Sequence, residues 1–245
     1  MLLTDKSVLV TGAANRLGAQ IARTLHQNGA NLIIHYRNSA AAAQALAHEL
    51  NQARAGSAVT IAADLAADGD IERLAQQACA SFGGLHLLVN NASSYYPTRF
   101  GEIDERSWDD LVASNYKAPL FLAQACYPAL KQGHGCIVNM VDIYASRPLA
   151  EHSVYCSAKA ANQMLVKSLA LELAPEVRVN GIAPGAMLWP EQADYDDAQR
   201  QALLDELPLK RLGGPQVIAD TVLFLATNDY ITGEVIRVDG GRLLC

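Results

Sequence analysis

The chain has 245 residues, of which 51% are hydrophobic and only 6% aromatic, and its formal net charge is -6. A chain of this length can bury a substantial core, so we expect a single domain over residues 1–245 and not a disordered protein. The negative charge argues against a nucleic-acid partner, and the lack of a Lys/Arg-rich run argues against a membrane surface. The composition favours an enzyme with a small-molecule partner.

The five cysteines have neither CxxC spacing nor a Cys/His pattern that would ligate a metal, and an odd number does not suit a complete disulfide framework. This favours a reducing, cytoplasmic location, and no metal is expected. Residues 1–10 include an apolar run, but Asp5 and Lys6 interrupt it and no cleavage site follows. We therefore expect a first strand here and not a signal peptide.

Short β-branched runs alternate with longer Ala- and Leu-rich segments along the chain. Strands are predicted at residues 7–11, 32–36, 59–63, 85–90, 136–140, 178–182 and 235–238. Helices are predicted at residues 17–28, 40–52, 71–82, 107–131, 154–174 and 216–227. This alternation predicts an α/β fold of the Rossmann type, a doubly wound parallel sheet of about seven strands with helices on both faces.

Residues 186–208 break this alternation. The segment is rich in Asp, Glu and Gln and contains Trp189 and Tyr195. Irregular segments of this length are usually functional or mobile. We expect it to be a substrate lid within the single domain.

A glycine-containing turn follows the first strand at residues 11–18. Gly12 permits a tight turn, and Gly18 permits close packing where the next helix starts. The amides at that helix N-terminus would then face a pyrophosphate. The predicted cofactor contacts at this turn are Gly12, Asn15, Arg16, Leu17 and Gly18.

The end of the second strand lacks the carboxylate with which NAD-binding proteins usually hold the adenosine ribose. Tyr36, Arg37 and Ser39 stand there instead. A guanidinium and a hydroxyl suit a 2′-phosphate, so NADPH is the predicted cofactor. Asp64 and Leu65, at the end of the third strand, are predicted to border the adenine, although an Asp in that position is often only a helix cap.

Tyr155 and Lys159 lie four residues apart at the start of a predicted helix and therefore on one face of it. A free phenol is a poor acid or base near neutral pH, but a neighbouring cation would stabilise its phenolate and lower its pKa. Tyr155 is accordingly predicted to be the proton donor of a reaction, with Lys159 assisting it.

Together, these motifs resemble those of the short-chain dehydrogenases/reductases over residues 6–241. The resemblance adds Asn90-Asn91-Ala92, Asn115, and the late turn at Asp239-Gly240-Gly241. It implies that Asn91, Ala92, Pro184 and Gly185 lie beside the nicotinamide, and that Lys159 and Tyr155 contact the cofactor. It also implies that Asn115 holds a water linking Lys159 to solvent.

Two positions depart from the common pattern of that superfamily. Arg16 replaces the middle glycine of TGxxxGxG, and Asp142 replaces the serine that usually stands thirteen residues ahead of the tyrosine. Both departures are similar to the pteridine reductases, whose motifs are TGxxxRxG, NNASS followed by an aromatic, and NMVD before YxxxK. This chain carries them at residues 11–18, 90–95 and 139–142.

The resemblance implies NADPH-driven reduction of dihydropterin or dihydrofolate to the tetrahydro form, and it leaves open whether fully oxidised pterins are reduced too. A dihydromonapterin reductase is the nearest variant. Tyr95 could stack on the flat pterin, and Ser93 and Arg16 could orient its polar edge. Asp142 offers a second titratable group beside Tyr155 for protonating a ring nitrogen. The predicted substrate contacts are thus Arg16, Ser93, Tyr95, Asp142 and Tyr155.

Two alternatives remain open from the sequence. One is a general carbonyl reductase, such as a 3-oxoacyl-thioester reductase, which would ordinarily require serine at position 142. The other is a non-catalytic regulator that binds NADPH, which the intact Tyr155 and Lys159 pair disfavours. Related enzymes commonly form homotetramers through two long helices, here residues 107–131 and 154–174.

Overall fold

The computed structural model describes residues 1–189 and 196–245. Within these ranges seven parallel strands form one sheet in the order β3-β2-β1-β4-β5-β6-β7. The strands are β1 (Ser7–Val10), β2 (Asn31–Tyr36), β3 (Ala58–Ala62), β4 (Leu87–Asn90), β5 (Cys136–Met140), β6 (Arg178–Pro184) and β7 (Val235–Val238). The predicted fold class is confirmed.

The helices are α1 (Arg16–Gln27), α2 (Ala40–Ala53), α3 (Asp70–Ser81), α4 (Glu105–Val112), α5 (Ala118–Gln132), α6 (Ser153–Leu173), α7 (Asp197–Asp205) and α8 (Pro215–Thr227). A π-helical turn, Ala113–Lys117, joins α4 to α5 and interrupts the single helix predicted at residues 107–131. The predicted lid contains α7, which the sequence analysis missed. Residues 190–195 of that lid, including Tyr195, lie outside the described residues.

The core lies on both faces of the sheet. Val8 and Val10 of β1 pack in one apolar layer with α1, α2 and α8, whereas Leu9 packs in the other layer with α3, α5 and α6. Side chains alternate between the faces of a strand, and a strand covered on both faces is apolar throughout. This explains why the strands appear in the sequence as continuous apolar runs.

The strand order reverses between β1 and β4, which lie side by side in the middle of the sheet. In such sheets ligands bind outside the carboxyl ends of the strands at this point of reversal. The segments after β1, β2, β3 and β4 meet there, and β5 and β6 end at the same edge.

In the described ranges, no helix combines the length and the apolar character needed to cross a membrane. The same ranges contain no group of three or more His, Cys, Asp or Glu side chains placed to hold a metal ion.

Candidate active site

A cleft of about 360 Å³ opens at the carboxyl edge of the sheet, where the strand order reverses. Four segments that follow β1, β2, β3 and β4 form most of its wall. The predicted cofactor contacts in this wall are Gly12, Asn15, Arg16, Leu17, Gly18, Arg37, Asp64, Leu65, Asn91 and Ala92. The fold thus brings together residues that are as many as eighty positions apart in the chain.

The glycine turn leaves no room for a side chain at Gly12 or at Gly18. Gly12 has a φ of +60°, a left-handed conformation that favours glycine. A Cβ atom on Gly18 would lie 2.3 Å from the main-chain oxygen of Gly12. The turn therefore brings main chain to the cleft wall, and the first turn of α1 offers amides without helical partners. Such a cradle fits a pyrophosphate group.

Arg16 also has a left-handed backbone, with a φ of +51°. A residue with a Cβ atom pays about 1 kcal/mol for this conformation, which explains why glycine is common at this position. Its Nη2 donates a hydrogen bond to the main-chain oxygen of Trp189 at 3.3 Å. Arg16 therefore links the glycine turn to the start of the segment predicted as a lid.

The side chain of Asn91 supports the glycine turn from β4. Its Nδ2 donates to the main-chain oxygens of Thr11 and Gly12 at 2.9 and 3.2 Å. The hydroxyl of Thr11 accepts bonds from the amides of Asn91 and Ala92, both at 2.9 Å. The segments after β1 and β4 are thus held together across the point of strand reversal.

His35, on β2, fixes the other side of the turn and was not predicted as a site residue. Its Nδ1 accepts a hydrogen bond of 3.1 Å from the amide of Gly12, and its Nε2 lies 3.1 Å from the main-chain oxygen of Ala63. Burial lowers its pKa to about 4, so the ring is neutral at physiological pH. The sequence offered no signal for this role beyond its position near a strand end.

The segment after β2 places Arg37 in the cleft wall, where it pairs with Asp110 of α4 at 3.5 Å. Both groups are partly exposed, so the pair is weak and the guanidinium can turn to another anion. Tyr36 is half-buried against the apolar core, and Ser39 is exposed immediately before α2. Neither Tyr36 nor Ser39 lines the cleft. The predicted contacts Arg37, Asp64 and Leu65 do line it.

Tyr155 and Asp142 are in direct contact. The phenol of Tyr155, in the first turn of α6, donates a hydrogen bond of 2.7 Å to Oδ2 of Asp142, which follows β5. The other carboxylate oxygen of Asp142 accepts a bond of 2.9 Å from the amide of Tyr144. Burial raises the pKa of Asp142 above its ordinary value, opposed by these two hydrogen bonds and by the charges of Lys159 and Arg242.

The expected lowering of the Tyr155 pKa by Lys159 is not found in this structure. Burial is the main cause that raises the pKa of Tyr155 well above its ordinary value, and the Asp142 carboxylate adds to the rise. The ammonium of Lys159 lies 5.7 Å from the centre of the Tyr155 ring and donates instead to the main-chain oxygen of Met140 at 2.8 Å. Tyr155 is therefore a neutral phenol that carries a proton to donate.

Lys159 is almost completely buried, with 2% of its surface exposed. Burial lowers its pKa to about 8, although the charge of Asp142 acts in the opposite direction. The ammonium has three hydrogens. One is used by Met140, which leaves donors for hydroxyl groups of a ligand.

Tyr95 contacts the rings of both Tyr155 and His152. It meets Tyr155 edge to face and stacks on His152, in each case with ring centres 4.9 Å apart. Just over half of the Tyr95 surface, 54%, remains exposed. Tyr95 is therefore an exposed aromatic side chain next to the proton donor.

Asn115 lies in the π-helical turn, fully buried. Its side-chain oxygen accepts a bond of 2.7 Å from Ser93, which lines the cleft. Its Nδ2 donates to the main-chain oxygens of Ser94 and Leu111, both at 2.9 Å. The side chain of Asn115 thus holds neighbouring segments together, and its main-chain carbonyl accepts a bond of 2.9 Å from Asn162, so the predicted water stays a prediction.

Pro184 ends β6, and the amide of Gly185 bonds the main-chain oxygen of Val238 at 2.9 Å. A Cβ atom on Gly185 would lie 2.7 Å from that of Asp239, so the turn admits only glycine. The carboxylate of Asp239 in turn accepts bonds from the amides of Gly241 and Leu243. This agrees with the prediction that residues 239–241 form a structural turn.

Comparisons with known proteins support the resemblance. A family model described as enoyl-(acyl carrier protein) reductase matches residues 12–242. Pteridine reductase 1 of Leishmania tarentolae is 37% identical, over 98% of this chain and 97% of the relative. The 3-oxoacyl-[acyl-carrier-protein] reductase FabG of Staphylococcus epidermidis is 33% identical, over 98% and 100%. An uncharacterized oxidoreductase, YmfI of Bacillus subtilis, is 32% identical, over 97% and 98%.

Proposed function

We propose that the chain, which belongs to the short-chain dehydrogenase/reductase superfamily of oxidoreductases, is an NADPH-dependent pteridine reductase. The proposed reaction transfers hydride to a carbon of a dihydropterin or dihydrofolate, and of oxidised pterins where these bind. The adjacent ring nitrogen takes a proton, and the product is the tetrahydro form.

The observation that carries this proposal is the hydrogen bond of 2.7 Å between Tyr155 and Asp142. A ketone gains negative charge on oxygen during reduction, and a carboxylate beside it would repel that charge. A ring nitrogen that gains a proton has no such conflict. The 37% identity to a pteridine reductase is consistent with the same substrate class.

The proton would be delivered by Tyr155, whose raised pKa keeps the phenol neutral before reaction. As the phenol donates its proton to the substrate nitrogen, the ammonium of Lys159 would limit the negative charge that develops on the phenol oxygen. Burial raises the pKa of Asp142, which favours the protonated carboxyl group. In that form Asp142 could share the delivery of the proton, as a general acid does.

The bound cofactor would supply the hydride. The cradle of Gly12 and Gly18 fits its pyrophosphate, and Arg37 at the cleft wall would meet the 2′-phosphate of NADPH. Lys159 has free ammonium hydrogens for the nicotinamide ribose. Tyr95 would stack on the pterin above Tyr155.

A second candidate is a 3-oxoacyl-thioester reductase, because the FabG relative is nearly as similar, at 33% identity. A direct comparison separates the candidates: NADPH oxidation with dihydrobiopterin, dihydrofolate and a 3-oxoacyl thioester, at equal concentrations. We expect turnover of the pterin with little turnover of the thioester. The reverse order would overturn the proposal and favour the second candidate.

A homotetramer and a cytoplasmic location remain predictions. Exposed apolar side chains on the two helices proposed for assembly, among them Phe121, Met164 and Leu171, are consistent with a contact between copies. Light scattering on the purified chain would measure its mass in solution, and a monomeric mass would contradict the tetramer.

A further inference from the structure

Three polar contacts join the end of β5 to one face of α6. The side chains of Tyr155, Lys159 and Asn162 lie on that face because they are four and three residues apart. Tyr155 bonds Asp142 at 2.7 Å, Lys159 bonds the main-chain oxygen of Met140 at 2.8 Å, and Asn162 accepts a bond of 2.8 Å from Nδ2 of Asn139. Asn162 thus forms the third contact beside the two predicted catalytic residues.

Asn162 also reaches the π-helical turn. Its Nδ2 donates a hydrogen bond of 2.9 Å to the main-chain oxygen of Asn115. That turn holds the Asn115 side chain, which in turn binds Ser93 at the cleft wall. The side-chain amide of Asn162 therefore connects α6, which carries Tyr155 and Lys159, to the segment beside the predicted nicotinamide site.

The amide belongs to a buried chain of hydrogen bonds. Asn90 of β4 donates to Asn139 of β5 at 2.8 Å, Asn139 donates to Asn162, and Asn162 donates to Asn115. At most 3% of each side chain is exposed. Among the described residues Oδ1 of Asn90 has no hydrogen-bond partner, whereas the oxygen and the nitrogen of Asn139 and of Asn162 are both paired. Buried amides are costly to leave unpaired, so the paired part of the chain, from Asn139 to Asn115, favours one arrangement of the elements that it joins.

We propose that Asn162 is a positioning residue, which holds Lys159 and the carbonyl of Asn115 in the arrangement that binds the nicotinamide end of the cofactor and supports proton transfer. Asn162 does not line the cleft and acts through its neighbours. This inference rests on the proposed function for the reaction, but its cofactor-binding part does not depend on which substrate is reduced.

The test replaces Asn162 with leucine, a side chain of similar size without polar atoms. Asn139 and the Asn115 carbonyl would each lose a partner. The matched control is Asn180→Leu, because Asn180 is as deeply buried and its side-chain nitrogen and oxygen are likewise both paired, at a distance from the predicted catalytic residues. Its Nδ2 donates to the main-chain oxygen of Ile231 at 2.8 Å, and its oxygen accepts from the amide of Glu234 at 3.1 Å.

Both variants should lose thermal stability to a similar degree. Only Asn162→Leu should also raise the Kd for NADPH, by about threefold or more, and lower kcat by about tenfold or more, with a smaller change in the substrate KM. The Kd is measured by quenching of protein fluorescence on titration with NADPH. Equal Kd and kcat values in the two variants, after correction for the folded fraction, would overturn the proposal.

Two further controls keep the result decisive. If either leucine variant does not fold, Asn162→Ser and Asn180→Ser are compared in the same way, because serine keeps one polar group at each position. If the unmodified protein binds NADPH but does not reduce pterins, the pteridine reductase proposal fails. The Kd comparison then still tests the role of Asn162, and kcat is taken on whichever carbonyl substrate is turned over.

Discussion

The phenol of Tyr155 donates its hydrogen bond to the carboxylate of Asp142 at 2.7 Å, whereas the ammonium of Lys159 donates to the main-chain oxygen of Met140. Burial and, to a smaller degree, the Asp142 carboxylate raise the pKa of the phenol, so Tyr155 is protonated before reaction. The arrangement differs from the sequence-based expectation, in which Lys159 lowers that pKa.

The first prediction follows from this contact. Asp142→Ser should lower kcat on dihydropterin by at least about tenfold, because a positioned general acid typically contributes more than that. The Kd for NADPH should hardly change, since Asp142 does not line the cofactor cleft. Steady-state kinetics and a fluorescence titration measure the two quantities.

Two controls define the role of the carboxyl group. Asp142→Asn keeps the shape and a hydrogen-bond acceptor but cannot carry the acidic proton, so it should be nearly as slow as the serine variant. Tyr155→Phe should be slower than either. Unchanged pterin turnover in Asp142→Ser, with a gain on a 3-oxoacyl thioester, would favour the carbonyl reductase.

The second prediction concerns cofactor choice. Arg37→Ala should weaken NADPH binding by about tenfold or more and NADH binding little, because a hydrogen bond to a charged group contributes about 1.5–3 kcal/mol. Asp110→Asn is the matched variant on the other side of the ion pair of 3.5 Å. It should tighten NADPH by about twofold, since exposed ion pairs are weak. Equal loss of both cofactors in Arg37→Ala would contradict a 2′-phosphate contact.

Much of the fold follows from the alternation of apolar strands and Ala-rich helices, because parallel strands covered on both faces are apolar along their whole length. The π-helical turn around Asn115 did not follow, since it contacts segments distant in the chain, among them Asn162 of α6, which donates to the main-chain oxygen of Asn115. Helix α7 could have been found. Asp196 and Gln199 form a capping box, a local signal at its start.

The parts of the candidate site that belong to a sequence motif could be predicted. The glycine turn and the Tyr155/Lys159 pair fall into this group. The contact between Asp142 and Tyr155 depends on how β5 meets α6, and only the family resemblance pointed to it. His35 and Asp110 could not be identified. Nothing near them in the sequence shows that the fold places His35 beside the glycine turn and Asp110 beside Arg37.

The third prediction uses the buried His35. Its pKa is about 4 in the folded protein against an ordinary value of 6.5, so the unfolded chain binds a proton between these values and the folded protein does not. The stability from His35 is therefore complete above pH 6.5 and is lost as the pH falls towards 4, by roughly 3 kcal/mol in total.

His35→Gln is the variant that isolates this effect, because glutamine can accept from Gly12 and donate to Ala63 without titrating. Urea unfolding at pH 7, 5.5 and 4.5 gives the free energy of unfolding for each protein. The loss between pH 7 and 4.5 should be smaller in the variant. If the free energy of unfolding fell equally with pH in the two proteins, the pKa of His35 would not be lowered in the folded protein.

The last prediction tests the aromatic surface of Tyr95, whose ring meets that of Tyr155 with centres 4.9 Å apart. Tyr95→Ala should raise the KM for dihydropterin by about threefold to tenfold, since an aromatic pair contributes about 0.5–1.5 kcal/mol beyond the area that it buries. The Kd for NADPH should stay nearly constant. Tyr95→Phe keeps the ring and should retain most of the pterin affinity. If Tyr95→Ala instead weakens cofactor and substrate together, the ring serves to pack against His152 and Tyr155, and the pterin does not stack on it.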